Sequence, residues 1–215
     1  MKSVRYGLVV AAFLAPGSSE ARDSGGGALR GIDLLQLMRL PEDSLRGPAA
    51  REGRALIIKP NSLVRILYQP PEEYDLRVEA ERKELQGKLV VGLVSGNRQF
   101  DLVIDNFNEN EHRSGLHNLD GKHVVDREND IIKGPVLRND TLHRMVYSVR
   151  KGRVSLRVDG REILRWEGDF ARLAIDRRFN VQEPRAMFVG NAISTYRITR
   201  INLVPLTGGG GPLRR

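Results

Sequence analysis

A chain of 215 residues with a formal charge of +8, 40% hydrophobic residues and no cysteine is long enough for one sizeable core and must hold it without disulfides. The lack of cysteine excludes thiolate zinc sites and lipidated cysteine, leaving His, Asp and Glu as metal ligands. The basic excess alternates with acids instead of gathering in runs, which speaks against nucleic acid as a partner and favours acidic polysaccharide as the polymer such a surface attracts.

Residues 1–21 read as a secretory signal: Lys2 and Arg5 precede an apolar stretch from Tyr6 to Ala15, and Ser19-Glu20-Ala21 is a small-x-small cleavage site. An apolar run of about ten residues, ended by Pro16-Gly17, falls short of the ~20 that span a bilayer. Export to the periplasm, envelope or exterior is therefore expected, without membrane insertion. Residues 22–30, with Gly25-Gly26-Gly27, read as a flexible leader, residues 31–206 as a single domain, and residues 207–215, with four consecutive glycines, as a disordered tail.

Within the domain, Leu34, Leu35 and Met38 have helical spacing before Pro41, predicting a short peripheral helix between Ile32 and Leu40. Arg54 to Lys59 and Ser62 to Tyr68 are short apolar strands around Pro60-Asn61, closed by Pro70-Pro71. Tyr74 to Arg82 alternates strictly, with Tyr74, Leu76, Val78 and Ala80 inward and Asp75, Arg77, Glu79 and Glu81 outward. Lys88 to Ser95 is apolar nearly throughout, as in a strand buried on both faces, and Gly96-Asn97 turns it into Arg98 to Asp105. There Phe100, Leu102 and Ile104 share one face, and Gln99, Asp101, Val103 and Asp105 the other.

Asn106 to Lys133 is long and polar, with a small strand at Gly115 to Leu119. Leu142 to Trp166 then forms three strands joined by turns at Lys151-Gly152 and Asp159-Gly160. A two-residue second turn sets Leu156 opposite Ile163, so that Leu156, Val158 and Ile163 share a face while Leu164 and Trp166 point away. Asp169 to Arg178 reads as a helical turn and Ala186 to Val189 as a strand. The last strand, Ser194 to Leu206, buries Tyr196, Ile198, Ile201 and Leu203. The sum is an all-β chain: a two-sheet antiparallel β-sandwich of jelly-roll type with one or two short peripheral helices. Its length is about double that of an immunoglobulin domain, at ~100 residues.

Glycosidases place two carboxyls roughly 5 to 9.5 Å apart. Asp101 and Asp105 lie ~13 Å apart along a strand, whereas Glu79 and Glu81, at ~7 Å, meet the distance but sit on a charge-balanced strand face. An enzyme on this chain would draw its acids from Glu79, Glu81, Asp101 and Asp105. Asp105, Asn108, Glu109 and Glu111 cluster the hard oxygen ligands that calcium takes, and no other cofactor is expected. His112, His117 and His123 lack tight metal spacing and read as surface loop residues, with zinc or catalysis as the alternative, while His143 reads as a sheet residue. No G-x-S-x-G motif supports acyl transfer. Trp166, the only tryptophan, offers a ring for sugar stacking, and Gln99, Asp101, Asp105, Asn106 and His117 complete a ligand-binding set with it.

The order YDLRVEAER, GLV strand, RQFDLVID, SGLHNLDGK, YSVRKGRVSLRVDGREILRWEGD and YRITRINLVPL resembles the concanavalin A-like, laminin-G-like jelly-roll domains of exported bacterial proteins. The YDLRVEAER, VRKG, VDGR and YRITRINLVPL phrases are also similar to the 3-keto-disaccharide hydrolase domains. The chain departs from that pattern at Gly47-Pro48-Ala49-Ala50-Arg51, where such domains carry a tryptophan. The resemblance implies a jelly roll and sugar-related binding. On this reading the chain is an exported, non-catalytic carbohydrate-binding module; the alternatives are a glycoside or 3-keto-disaccharide hydrolase on the same scaffold, or a structural envelope protein.

Overall fold

A computed structural model describes residues 31–84, 86–108 and 111–214. The expected secretory signal and leader, residues 1–30, and Glu109 lie outside the described residues, as does the side chain of Asn108. The strands build two antiparallel sheets packed face to face. In hydrogen-bonding order the first runs Arg161–Glu167, Arg153–Val158, Leu142–Arg150, Tyr74–Arg82, Tyr196–Pro205, Ala55–Ile58, Ala49–Glu52, with Ile32–Asp33 also on Tyr196–Pro205. The second runs Ile131–Lys133, Glu111–Leu116, Arg98–Asn108, Leu89–Ser95, Met187–Asn191, Leu63–Ile66, Ser44–Arg46. The expected two-sheet sandwich is thus the fold, and no described helix is long and apolar enough to cross a membrane.

Strand alternation assembles the main core. Tyr74, Leu76, Val78 and Ala80 from the first sheet meet Leu89, Val91, Leu93, Phe100, Leu102 and Ile104 from the second, with Tyr196, Ile198, Ile201 and Leu203 as expected. The Tyr74 hydroxyl, fully buried, donates to the Val94 carbonyl at 2.9 Å and accepts the Val94 amide at 3.0 Å, so burying it leaves no polar group unpaired. The helix is a single turn, Leu34–Leu37, capped by Asp33, which accepts the Leu35 amide, and Leu34 and Leu35 pack into the core.

Gln99, Asp101 and Val103 of Arg98–Asn108 and Val90 and Gly92 of Leu89–Ser95 face away from that core, yet they are buried too. Val90, Val103, Leu63 and Phe188 form a second apolar cluster with Val124, Phe179, Val181 and Ala186 from loops laid over the second sheet. Gly92 makes this possible: paired with Phe188, it leaves room for a ring that a Cβ would meet at 2.1 Å, and Phe188 stacks parallel on Phe179.

Three expectations are corrected. A bulge between Leu156 and Arg157 pairs Leu156 with Leu164 and Val154 with Trp166, so Leu164 and Trp166 enter the core and Ile163 is left half-buried. The rule of strict pairing from the turn fails because one extra residue flips every later side chain. A second bulge, in the pairing of Glu111–Leu116 with Arg98–Asn108, puts Asp105 at φ 54° and turns it from the face of Asp101 toward Arg82 on the core side. The tail is not free of structure: Gly211–Pro212 pairs with Tyr68–Gln69, the Leu213 amide donates to the Leu67 carbonyl, and Leu213 packs on the second cluster. Gly209 and Gly210, at φ 94° and 84°, supply the backbone reversal that lets the chain dock, and Gly210 sits against the Gln69 carbonyl where no Cβ fits.

Candidate functional site

The site lies on the covered outer face of the second sheet. Lys88 precedes Leu89–Ser95, Asp101 lies on the neighbouring strand, and His117 follows Glu111–Leu116, where its amide donates to the Asp101 carbonyl at 2.9 Å. Asn118–Leu119 pairs with Lys122–His123 and with Leu173–Ala174, which brings His123 and Asp176 over the same spot. Each then caps a 3-10 turn: His123 that of Val124–Asp126, Asp176 that of Arg177–Phe179.

His117 is fully buried between two carboxylates, with Nδ1 2.5 Å from Asp101 Oδ2 and Nε2 3.2 Å from Asp176 Oδ2. The Asp176 amide donates to Asp101 Oδ1 at 3.2 Å, tying the loop to the strand. His123 Nε2 reaches Asp176 Oδ2 at 3.3 Å, and Arg178 caps the same carboxylate. Lys88 Nζ stands 3.5 Å from His117 Nε2 and 5.2 Å from the Phe179 ring centre. Burial, against the pull of Asp101, lowers the His117 pKa. Burial, reinforced by Arg178, brings the Lys88 ammonium down to about 8. Burial works to raise the Asp176 carboxyl, but bonds from His123 and Arg178 outweigh it and hold the group well below the usual carboxylate range.

Two clefts flank this cluster and share Arg178. One, of about 220 Å³, is lined by Arg46, Asn61, Lys88, Phe179 and Asn191; the other, of about 300 Å³, by Asn106, Phe107, His123 and Val125. In the first, Arg46 lies over the Phe179 ring at 5.5 Å and spends its donors on the carbonyls of Asn61 and Arg178. No described carboxylate lies within 4.0 Å of Arg46 or Lys88. A larger opening of about 430 Å³ between Asp33, Arg51 and Arg200 has no buried titratable group in its lining.

Of the residues expected to bind ligand, the structure brings Asp101, His117 and Asn106 to this region. Gln99 is structural, donating from Nε2 to the carbonyls of Glu183 and Ala186 at 2.9 and 2.6 Å. Asp105 accepts from Arg82 at 2.9 Å and from the amides of Val136 and Leu137, wholly buried. Trp166 is packed in the main core beside Phe170 with the Arg172 guanidinium over its ring, so it presents no face to a sugar. Glu79 and Glu81 lie on the outer face of the other sheet, Glu79 between Arg144 and Arg200 at 3.6 Å each, Glu81 on Lys83 at 2.6 Å. The four acids proposed for catalysis therefore fall in three separate places. Among the calcium candidates, Asp105 faces Arg82 and Glu111 pairs with Arg113 at 2.6 Å, so these two do not converge.

Of the three histidines expected on the surface, His117 and His112 are buried and His123 is partly exposed, at 21%, while His143 is the expected sheet residue, buried, donating to Asp159 at 2.7 Å and accepting the Arg138 amide. Sequence reasoning missed Arg46, Lys88, Asp176, Arg178 and Phe179. The one visible signal was Lys88 itself, a lone cation opening an apolar strand that is buried on both faces.

No family model matches the chain, and no curated protein sequence matches it. Among solved structures it is similar to the carbohydrate-binding module CBM66 from Bacillus subtilis, at 9% identity over 75% of this chain and 93% of that one, with a TM-score of 0.48. It is likewise similar to a beta-glucanase from Bacillus licheniformis, at 7% identity over 73% and 81% with a TM-score of 0.48. The third is a laminarinase from Flavobacterium sp., at 11% identity over 73% and 81% with a TM-score of 0.48.

Proposed function

We propose that the protein is a non-catalytic binding module for an acidic saccharide, seated in the cleft of Arg46, Lys88 and Arg178. The observation that carries this is the pair Arg46 and Lys88: both lie within about 5.5 Å of the Phe179 ring centre, and neither has a described carboxylate within 4.0 Å, Asp101 and Asp176 acting on Lys88 only from farther off. Burying Lys88 disfavours its charge, and an anionic ligand relieves that cost. The amides of Asn61 and Asn191 edge the same cleft, although Asn191 Nδ2 already donates to the carbonyls of Ile58 and Ser194, so Asn61 is the freer donor for a hydroxyl. Binding is favoured over hydrolysis because Asp101 is sealed behind His117 and Asp176 is capped by cations, leaving no pair of carboxyls facing the cleft.

The test is calorimetric titration with oligogalacturonate and with a neutral glucan oligomer of equal length. The expected result is oligogalacturonate binding that weakens with salt and is lost in Arg46→Ala, with no binding of the glucan. Equal binding of both oligomers, or binding untouched by Arg46→Ala, overturns the reading.

A further inference from the structure

We propose that His117, His123 and Asp176 form a site for a divalent transition-metal ion of the zinc class, with Asp101 holding His117 from behind and Arg178 as the cation that the metal displaces. The ligand atoms are in place. His117 Nε2 and His123 Nε2 lie 3.2 and 3.3 Å from Asp176 Oδ2, and one ligand atom from each of the three residues falls within 4.8 Å of the others. A tetrahedral ion with bonds of ~2.0 to 2.1 Å sets its ligands ~3.3 Å apart, so two of the three edges already have the length required.

The surroundings match. When His117 Nδ1–H donates to Asp101, its Nε2 lone pair points at a carboxylate oxygen 3.2 Å away, an arrangement of two acceptors that calls for a positive charge between them. The Asp101 carboxylate orients the ring as outer carboxylates do for ligating histidines, and is itself held by the Asp176 amide. Positive charge is what the site now collects: Arg178 Nη2 is bonded to Asp176 Oδ2 and stands 3.3 Å from His123 Nε2, and Lys88 Nζ stands 3.5 Å from His117 Nε2.

Arg178 can leave. Its side chain is 61% exposed and borders both clefts, while Asp176 and His117 stay buried. His123 must give up one contact, since its Nδ1 accepts the Val125 amide, but that bond is long at 3.3 Å. Metal on Nε2 takes the place of the proton that this bond puts there, and that proton moves to Nδ1, which is why the Val125 bond is given up while the imidazole stays neutral. The cleft beside His123 opens the remaining coordination positions to water. Two imidazoles with one carboxylate select zinc-class ions over calcium, which takes oxygen ligands. This site is thus chemically distinct from the hard-oxygen loop expected between Asp105 and Glu111.

The test titrates the metal-free chain with Co²⁺ and Zn²⁺, without saccharide, reading the visible Co²⁺ absorption and the thermal midpoint. Expected are an intense Co²⁺ band of low coordination number that Zn²⁺ bleaches at one equivalent, and a midpoint raised by Zn²⁺. His123→Gln, on the half-exposed ligand, should keep the fold and lose the band, and Arg178→Ala should bind Zn²⁺ several-fold more tightly because the competing cation is gone. No band in the wild-type chain, a band unchanged in His123→Gln, or Arg178→Ala binding no more tightly than wild type overturns the proposal.

Discussion

Outside the shared core, the strand Tyr74–Arg82 turns Arg77, Glu79 and Glu81 to solvent, whereas Arg98–Asn108 turns Asp101 and Val103 under two loop segments. Both strands alternate, and both carry acids on the outward face. On the first sheet the acids meet arginines and lysine in water, where an ion pair is worth ~0 to 1 kcal/mol. On the second, loops from 117–126 and 173–186 exclude water, so each charge must be matched by a donor, and the matching assembles the cluster of Asp101, His117, Asp176 and Lys88. The same residue type is decoration on one face and architecture on the other, and what separates them is cover.

That contrast breaks most visibly at Asp101. Asp101→Ala should leave His117 Nδ1 and the Asp176 amide without their acceptor inside the fold and cost about 3 to 5 kcal/mol in denaturant unfolding. A loss under 1 kcal/mol would mean that the loops lift readily and that the second face is as wet as the first.

Lys88→Met should act in two opposed directions. Saccharide binding falls, while the fold gains ~1 to 3 kcal/mol at neutral pH because a penalised ammonium is removed. The folded-state value near 8 lies below the ordinary 10.5, so between those values the unfolded chain keeps a proton that the folded chain has lost. Wild-type stability should therefore rise from pH 8 to 10.5, and be forfeited as pH drops through 8; in Lys88→Met that rise should be absent. Parallel stability profiles for the two proteins would show that Lys88 is solvated.

Trp166→Phe tests whether the tryptophan belongs to the core or to the ligand. Its place in the main cluster predicts a loss of about 1 to 2 kcal/mol and unchanged saccharide affinity. Weakened binding at unchanged stability would return Trp166 to the ligand face.

Trp166 also marks how far the sequence could be followed. The strands, turns and inner faces were legible because apolar alternation and Asp-Gly or Lys-Gly turns are local signals: Tyr74, Leu76, Val78, Tyr196 and Ile201 all fall where their spacing puts them. Trp166 and Asp105 were misplaced because a bulge adds one residue without any local mark, and every assignment beyond it changes face. Half of the site was readable as residue types, in Asp101 and His117, but not as a site. Its other half, Asp176 and Arg178, stands far along the chain, 75 residues separating Asp176 from Asp101, in a loop whose docking depends on Gly92 making room for Phe188 and Phe179. Long-range cover of that kind leaves no periodicity behind.

The smallest effect should come from the exposed face. Glu79→Gln with Glu81→Gln removes the carboxylate partners of Arg144 and Arg200 and the nearer partner of Lys83, which keeps Asp140 at 3.8 Å, and all three cations remain in water and lose little. The double variant is expected to lie within about 0.5 kcal/mol of wild type and to bind oligogalacturonate at least as well, because the net charge becomes more positive. Both glutamates are partly shielded, at 20% and 17% side-chain exposure, so the salt dependence of the comparison is its sharper form. If their ion pairs matter only as surface pairs do, the difference from wild type should vanish at 1 M salt, where the screening length is ~3 Å. A difference above 1 kcal/mol that survives such salt would mean that this face too is covered in solution, and the division between a wet sheet and a dry one would fall.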